Sequence, residues 1–195
     1  MAVGHENKIL LHDLQNGGEP KVIYEHEDTE AAFTFELMSE GTELIIFEES
    51  KISILDMEKD NALIAEISKE TLGVGEIYPQ KLFGDYKTKT FRAYLVDEED
   101  SLLIMTVEKI HLLDISDIYG DEGKIEIQAS ANLAKKKYTR NHHCYVNEEK
   151  GIVYISQRNK AQKFFYWEMD LATLKYKRDI GPGQKFNGHF YFAEE

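Results

Sequence analysis

Apolar and polar positions follow the same pattern in two stretches of 24 residues. Residues 33–56 read FTFELMSEGTELIIFEESKISILD, and residues 91–114, which lie 58 positions later, align with them without a gap as FRAYLVDEEDSLLIMTVEKIHLLD. Each stretch begins with alternating apolar residues, which predict a strand with one buried face, strand A. A polar turn then precedes a nearly continuous apolar run, which predicts an inner strand buried on both faces, strand B. A second turn leads into a third apolar segment, strand C.

A short fourth strand, strand D, is predicted at residues 62–67 and again at 124–129. Four antiparallel strands joined by tight turns form one blade of a β-propeller. Parts of the same unit recur at residues 147–170 and at 4–13. We therefore predict an all-β, propeller-like fold of about four blades with four antiparallel strands each.

The end of each unit resembles a WD40 repeat, in which an apolar strand closes with a Trp-Asp pair. The corresponding pairs in this chain are Leu55-Asp56, Leu113-Asp114 and Met169-Asp170. The tryptophan is therefore missing at all three places, and the Gly-His pair expected before strand A is missing from the second and third units. The resemblance implies a degenerate WD40-like propeller, which would act as a binding surface or scaffold.

The repeat extends over most of the chain, whose 195 residues are the size of one domain. We assign a single propeller domain at 1–195, with blades at approximately 1–30 together with 186–195, 31–70, 90–130 and 141–181. The first residues resemble part of a strand B and residues 189–193 resemble a strand A, so the two ends can complete one blade and close a small ring. The pattern fits part of a larger propeller equally well, and open blade edges would then favour a homo-oligomer or an assembly.

Charge and composition narrow the class of partner. The net charge of -13 and the pI near 5.0 oppose binding to nucleic acid or to an anionic membrane surface, so we expect a protein or peptide partner, preferably a basic one. The apolar runs are far too short to span a membrane, and the N-terminal residues show no secretory signal. A single cysteine, Cys144, is ordinary for a reducing compartment, so we expect the cytoplasm, with the nucleus as the alternative.

The two faces of such a propeller differ in composition. The A–B and C–D turns lie on one face, where Glu40, the run 97–100 and Glu148-Glu149 are acidic and are interpreted as solvated turns. The B–C turns and the long D–A connections, 70–90 and 131–143, lie on the other face and carry lysines and aromatic residues. Long connections in a compact domain often carry function. We predict the binding residues there: Tyr78, Phe83, Tyr86, Lys87, Lys89, Lys135, Lys136, Lys137, Tyr138 and Arg140.

No pattern in the sequence indicates catalysis, a metal site or a cofactor. Neighbouring residues of a strand point to opposite faces, so His142, His143 and Cys144 cannot all bind one ion. The acidic run 97–100 lacks the spacing of a calcium loop, and no Gly-x-Ser-x-Gly is present. We therefore predict a chain that is not an enzyme and that binds neither metal nor cofactor.

The preferred function is a non-enzymatic scaffold that binds a protein or peptide on one propeller face. One alternative is a structural subunit of a larger assembly. The other is a metal-dependent hydrolase of the propeller type, which would need carboxylates and histidines at the central channel. The strand A residues expected to line that channel are apolar, which disfavours hydrolysis: Phe33, Phe35, Leu37, Phe91, Ala93 and Leu95.

Overall fold

The computed structural model describes residues 2–5, 7–28, 33–38, 41–75, 92–106, 109–120, 123–133, 138–159 and 164–180. In this part of the chain, fifteen strands form four antiparallel sheets whose strands are paired in chain order. The first sheet has three described strands and each of the others has four. The prediction of an all-β, propeller-like fold is thereby confirmed, and we call the sheets blades one to four.

The strands have the following bounds. Blade one contains β1 (Ala2–His5), β2 (Lys8–Leu11) and β3 (Lys21–Glu25). Blade two contains β4 (Thr34–Leu37), β5 (Glu43–Phe47), β6 (Lys51–Asp56) and β7 (Ala62–Ser68). Blade three contains β8 (Arg92–Val96), β9 (Ser101–Met105), β10 (Lys109–Asp114) and β11 (Glu126–Asn132). Blade four contains β12 (Tyr138–Asn147), β13 (Ile152–Asn159), β14 (Phe164–Asp170) and β15 (Tyr176–Asp179).

The sequence repeat corresponds to a repeat of strand register. Ile45 pairs with Ile54 in blade two, and the residues 58 positions later, Leu103 and Leu112, pair in blade three. The pairing of strand C with strand D also shifts register just after Ile54 and just after Leu112. The two units therefore share a bulge at the same position as well as the same strands.

Two local features differ from the prediction. A short helix, α1 (Lys69–Leu72), follows β7, where the Ser68 side chain accepts a hydrogen bond from the Thr71 amide and Gly73 ends the helix in the left-handed conformation. The predicted connection 131–143 is also shorter than expected, because β11 continues to Asn132 and β12 already begins at Tyr138. Both differences extend regular structure into segments that were predicted as loops.

Hydrophobic side chains pack between consecutive sheets. In β5, Leu44 and Ile46 face blade one, whereas Ile45 and Phe47 face blade three, and all four are at most 1% exposed. A third cluster, which includes Leu103, lies between blades three and four. The inner strands of blades two and three are thus buried on both faces, which explains their nearly unbroken apolar runs. Among the described residues, no such cluster joins blade one to blade four.

The strand A residues contribute to the packing between blades. Phe35 and Leu37 pack against the cluster between blades one and two, and Phe33 does the same. Ala93 and Leu95 pack against the cluster between blades two and three. Their side chains fill the spaces between neighbouring blades and so stabilise blade stacking. That they also line a central channel stays a prediction, and Phe91 lies outside the described residues.

Candidate functional site

The predicted lysine and aromatic surface falls mostly outside the described residues. Eight of its members lie there: Tyr78, Phe83, Tyr86, Lys87, Lys89, Lys135, Lys136 and Lys137. Tyr138 and Arg140 lie at the start of β12, where the structure describes the backbone but not these side chains. Binding at this surface therefore stays a prediction.

The described part of the same face contains a polar network between blades one and two. The Tyr24 hydroxyl donates a hydrogen bond to Oε1 of the buried Glu48, and the His26 Nε2 lies 3.3 Å from the same oxygen. Burial raises the pKa of Tyr24, and the Glu48 carboxylate raises it further. Both rings contact Phe33, at 5.5 Å for Tyr24 and 6.4 Å for His26 between ring centroids. This network connects the end of blade one to the B–C turn of blade two.

A groove of about 320 Å³ lies on the opposite face, between blades two and three. It is formed by the A–B turn of blade three, the start of β5 and the loop that follows β10. Its lining combines carboxylates with an apolar floor and two small hydroxyls: Glu43, Glu98, Glu99, Asp100, Met38, Ile115, Ile118, Thr42, Ser116 and Tyr119. We call it the acidic groove. The acidic turn that the sequence marked as merely solvated therefore borders a concave surface.

The backbone of this turn has an unusual conformation. Asp97, Glu98 and Glu99 have φ angles of 56°, 52° and 75°, which lie in the left-handed region that costs non-glycine residues roughly 1 kcal/mol each. Turn hydrogen bonds from the Glu99 and Asp100 amides hold this conformation. The Asp97 amide also donates to the Glu148 carboxylate at 3.0 Å, which ties the turn to blade four. The acidic side chains are therefore carried by a fixed loop.

The carboxylates of the acidic groove leave a net negative charge there. Ion pairs with described lysines or arginines occur elsewhere in these blades but involve none of Glu43, Glu98 and Asp100. Glu43 accepts hydrogen bonds from the hydroxyls of Thr42 and Tyr119, which leave its charge in place. A concave surface lined by charges of one sign concentrates ligands of the opposite sign. The acidic groove is thus suited to a cationic group.

A second hollow of about 310 Å³ adjoins the acidic groove on the far side of Tyr119. Tyr119 and Leu63 are both 58% exposed and border this hollow. The Lys59 Nζ lies 5.8 Å from the centroid of the Tyr119 ring and 3.0 Å from the Asp56 carboxylate. We call the exposed side chains of Tyr119 and Leu63 the apolar ledge. Together, the groove and the ledge offer a charged slot beside exposed apolar side chains.

Gly123 positions the loop that carries Tyr119. Its φ of 54° is left-handed, and a Cβ at this position would collide with the backbone carbonyl oxygen of Ile64 in β7. Only glycine lets the loop approach blade two this closely. The ledge therefore depends on a contact between blades, and nothing in the local sequence pattern around Tyr119 singled it out beyond an aromatic residue in a polar turn.

Other reactive side chains are placed as follows. Cys144 is 5% exposed and faces blade three. His111 is 1% exposed, neither ring nitrogen has a hydrogen-bond partner, and burial, with a smaller contribution from Lys109, lowers its pKa to about 4. Within the described ranges, no group of three or more His, Cys, Asp or Glu is arranged to hold a metal ion, and no helix is long and apolar enough to cross a membrane.

No family model matches the sequence, and no curated protein matches it. Solved structures match it in fold. The WD40 domain of SCAP from fission yeast is similar with a TM-score of 0.52 at 12% identity, over 93% of this chain and 39% of that one. The periplasmic gluconolactonase of Pseudomonas aeruginosa is similar with a TM-score of 0.54 at 8% identity, over 89% of this chain and 49% of that one.

A putative 6-phosphogluconolactonase of Bacteroides fragilis is similar with a TM-score of 0.52 at 9% identity, over 93% of this chain and 52% of that one. The chain thus spans about half the length of the two lactonase structures and less of the SCAP domain. Identities this low show the fold alone. With the four stacked antiparallel sheets, these similarities show a WD40-like propeller fold.

Proposed function

We propose that this chain is a non-enzymatic propeller scaffold that binds a basic segment of a protein partner. The observation that carries the proposal is the acidic groove beside the apolar ledge: Glu43, Glu98 and Asp100 have no ion-pair partner among the described lysines and arginines, and exposed Tyr119 and Leu63 lie next to them. A lysine or arginine of the partner enters the groove. A neighbouring apolar residue of the partner covers the ledge.

Each part supplies a different contribution to binding. Desolvated aromatic and aliphatic contacts provide most of the affinity of small protein interfaces, and exposed tyrosine is a frequent anchor. The carboxylates select a basic segment and accelerate its association. Because the turn 97–100 is held by backbone hydrogen bonds and by Glu148, little order is lost when a ligand binds.

The comparisons support this class of function without identifying a partner. The fission yeast SREBP and SCAP binding domains form a complex, and the structure of that complex is similar to this chain with a TM-score of 0.52 at 12% identity, over 95% of this chain and 46% of that one. Propellers also occur in the two lactonases, so fold alone does not separate scaffold from hydrolase. Lactone hydrolysis by the purified chain, with and without added divalent metal, tests the hydrolase alternative directly.

Selection of short random peptides on the immobilised chain tests the proposal. We expect enrichment of sequences in which lysine or arginine adjoins an aromatic or aliphatic residue. Glu98→Lys should lower the affinity for the selected peptide by about tenfold or more, since it places in the groove a positive charge that repels the basic peptide. Asp179→Lys, which makes the same charge change on the edge strand β15, is the matched control and should bind normally. Enrichment of acidic peptides, or equal binding by both variants, would contradict the proposal.

The surface predicted from the sequence on the opposite face has its own test. Tyr86→Ala and Tyr138→Ala should weaken the binding of a partner that contacts the long connections and should leave binding of the basic peptide unchanged. If these variants weaken the basic peptide and Glu98→Lys does not, the binding face is the one predicted from the sequence, and the acidic groove is not the site.

A further inference from the structure

The second hollow contains a lysine on a tight turn. Lys59 begins the turn between β6 and β7, in which Asp60 and Asn61 have left-handed φ angles of 57° and 61°. The Ala62 amide donates a hydrogen bond to the Lys59 carbonyl oxygen at 3.2 Å and closes this turn. Two consecutive left-handed residues are typical of the type I′ hairpin turn, whose geometry matches the twist of its strands. The backbone that carries the Lys59 side chain is therefore fixed.

Two contacts place the ammonium group of Lys59. It lies 3.0 Å from the Asp56 carboxylate and 5.8 Å from the centroid of the Tyr119 ring. The Asp56 carboxylate also accepts hydrogen bonds from the amides of Glu58 and Lys59, at 2.9 Å and 3.1 Å, so these amides and the ammonium stabilise it together. The Lys59 side chain is 71% exposed, and an ammonium group has three N–H donors. It is therefore accessible to a ligand that enters the second hollow.

Tyr119 connects this lysine with the acidic groove. Its hydroxyl donates a hydrogen bond to Glu43 in the groove, whereas the Lys59 ammonium lies over its ring. A negative and a positive charge are thus held close to one tyrosine side chain. Their separation corresponds to about two to three residues of an extended segment, at roughly 3.3 Å per residue. A short segment that contacts both hollows therefore meets carboxylates at one end and an ammonium group at the other.

A second cation is disfavoured on the Lys59 side of the apolar ledge. The face of an aromatic ring attracts cations, and the Lys59 ammonium already lies over the Tyr119 ring. A lysine or arginine of the partner would meet a like charge there. An apolar residue of the partner that covers Leu63 and the ring also removes water from the ammonium, which then needs an acceptor. A carboxylate of the partner supplies this acceptor.

We infer that Lys59 selects an acidic residue of the partner, so that the bound segment carries a basic and an acidic residue on the two sides of an apolar residue. The inference rests on the proposed function, because the basic residue of the segment occupies the acidic groove beside Glu43, Glu98 and Asp100. The apolar residue covers the ledge, and the acidic residue pairs with the Lys59 ammonium. The partner segment is thus one of mixed charge, and a segment that is basic throughout binds less tightly.

The composition of the peptides selected on the immobilised chain is the first test. We expect an aspartate or glutamate about two to three positions from the lysine or arginine that enters the groove. Replacement of this acidic residue by asparagine should lower the affinity by about threefold, because an exposed ion pair contributes little. Replacement by lysine should lower it by about tenfold, since two like charges then meet.

Variants of Lys59 assign the selection to this side chain. Lys59→Glu should reverse the order of affinities, so that the lysine peptide binds more tightly than the aspartate peptide. Lys59→Met keeps the length of the side chain without its charge and should bind the three peptides almost equally. Lys51→Glu is the matched control, because Lys51 also pairs with a carboxylate, that of Glu66 at 2.7 Å, at the other end of β6. It should keep the wild-type order. Circular dichroism verifies folding, and Lys59→Met replaces Lys59→Glu if that variant fails to fold.

The outcomes separate this inference from the proposed function. If Glu98→Lys weakens peptide binding but Lys59→Glu and Lys59→Met keep the wild-type order, the groove binds a basic segment and the inference is wrong. Enrichment of peptides that are basic throughout would overturn it as well. If the selection yields no basic peptide, the proposed function fails and the inference fails with it.

Discussion

The Tyr119 hydroxyl donates a hydrogen bond to Oε1 of Glu43 across the boundary between blades two and three, although the two residues are 76 positions apart in the chain. The tyrosine ring separates the acidic groove from the second hollow, because it lines both. Its ring and its hydroxyl therefore have separate roles: the hydroxyl joins two blades, and the ring offers contact area to a ligand.

Substitutions of Tyr119 separate these roles. Tyr119→Phe keeps the ring, so we expect nearly unchanged affinity for the selected basic peptide and a loss of stability of at most about 1 kcal/mol, because the hydrogen bond is exposed. Tyr119→Ala removes the ring and should lower the affinity for the peptide by about tenfold. Fluorescence anisotropy measures the affinity and urea unfolding the stability. Equal affinities for the two variants would show that the ring does not contact the ligand.

Gly123→Ala should destabilise the domain by about 2–4 kcal/mol, since the new Cβ meets the Ile64 carbonyl oxygen and the left-handed φ of 54° is retained. Gly151→Ala is the matched control, because Gly151 has a similar φ of 59° and a Cβ added there would have nothing within 4 Å. That variant should lose only about 1 kcal/mol. Urea unfolding measures both, and equal losses would mean that the contact with Ile64 is unimportant.

The buried His111 should make the domain less stable in mild acid. Its folded pKa of about 4 lies below the ordinary 6.5, so between these values the unfolded chain binds a proton that the folded chain does not. Stability is therefore complete above pH 6.5 and falls as the pH decreases toward 4, by on the order of 3 kcal/mol from this residue. The positive charge of Lys109 lowers the pKa of His111 as well, in the same direction as burial.

The variant His111→Leu isolates this effect from the titration of carboxylates. Leucine has neither a charge nor unpaired ring nitrogens, so the variant should be about as stable as the wild type above pH 6.5 and more stable than it at the acid end of this window. Denaturant unfolding at several pH values provides the comparison. Parallel pH profiles for the two proteins would mean that His111 is not held neutral in the folded state.

Tyr24→Phe should cost about 1–2 kcal/mol of stability, because the buried Glu48 carboxylate then loses a hydrogen-bond donor. Tyr119→Phe is the matched control, because it removes a hydroxyl that donates to another carboxylate, that of Glu43, at an exposed position. Its loss of stability should be smaller. Thermal unfolding of the two variants gives the comparison. If Tyr24→Phe is no more destabilising than Tyr119→Phe, then burial adds nothing to this hydrogen bond.

Local patterns predicted the strands well where one blade repeats another. The sequence repeat at an interval of 58 residues aligned β4, β5 and β6 with β8, β9 and β10. The pairing of Ile45 with Ile54 recurs as that of Leu103 with Leu112. The strand period is a property of neighbouring residues, so one chain suffices to detect it. The helix α1 and the early start of β12 were missed, because their polar residues carry no strong period.

The sequence by itself determined the β architecture, the apolar inner strands and the acidic character of the turn 97–100, since each depends on residues that are near one another in the chain. The tertiary structure decided what these parts form together. The strand A side chains turned out to fill the spaces between blades, and the acidic turn met Tyr119 and Glu43 only because blade three stacks on blade two. Contacts between residues far apart in sequence follow from sheet stacking, which no local pattern encodes.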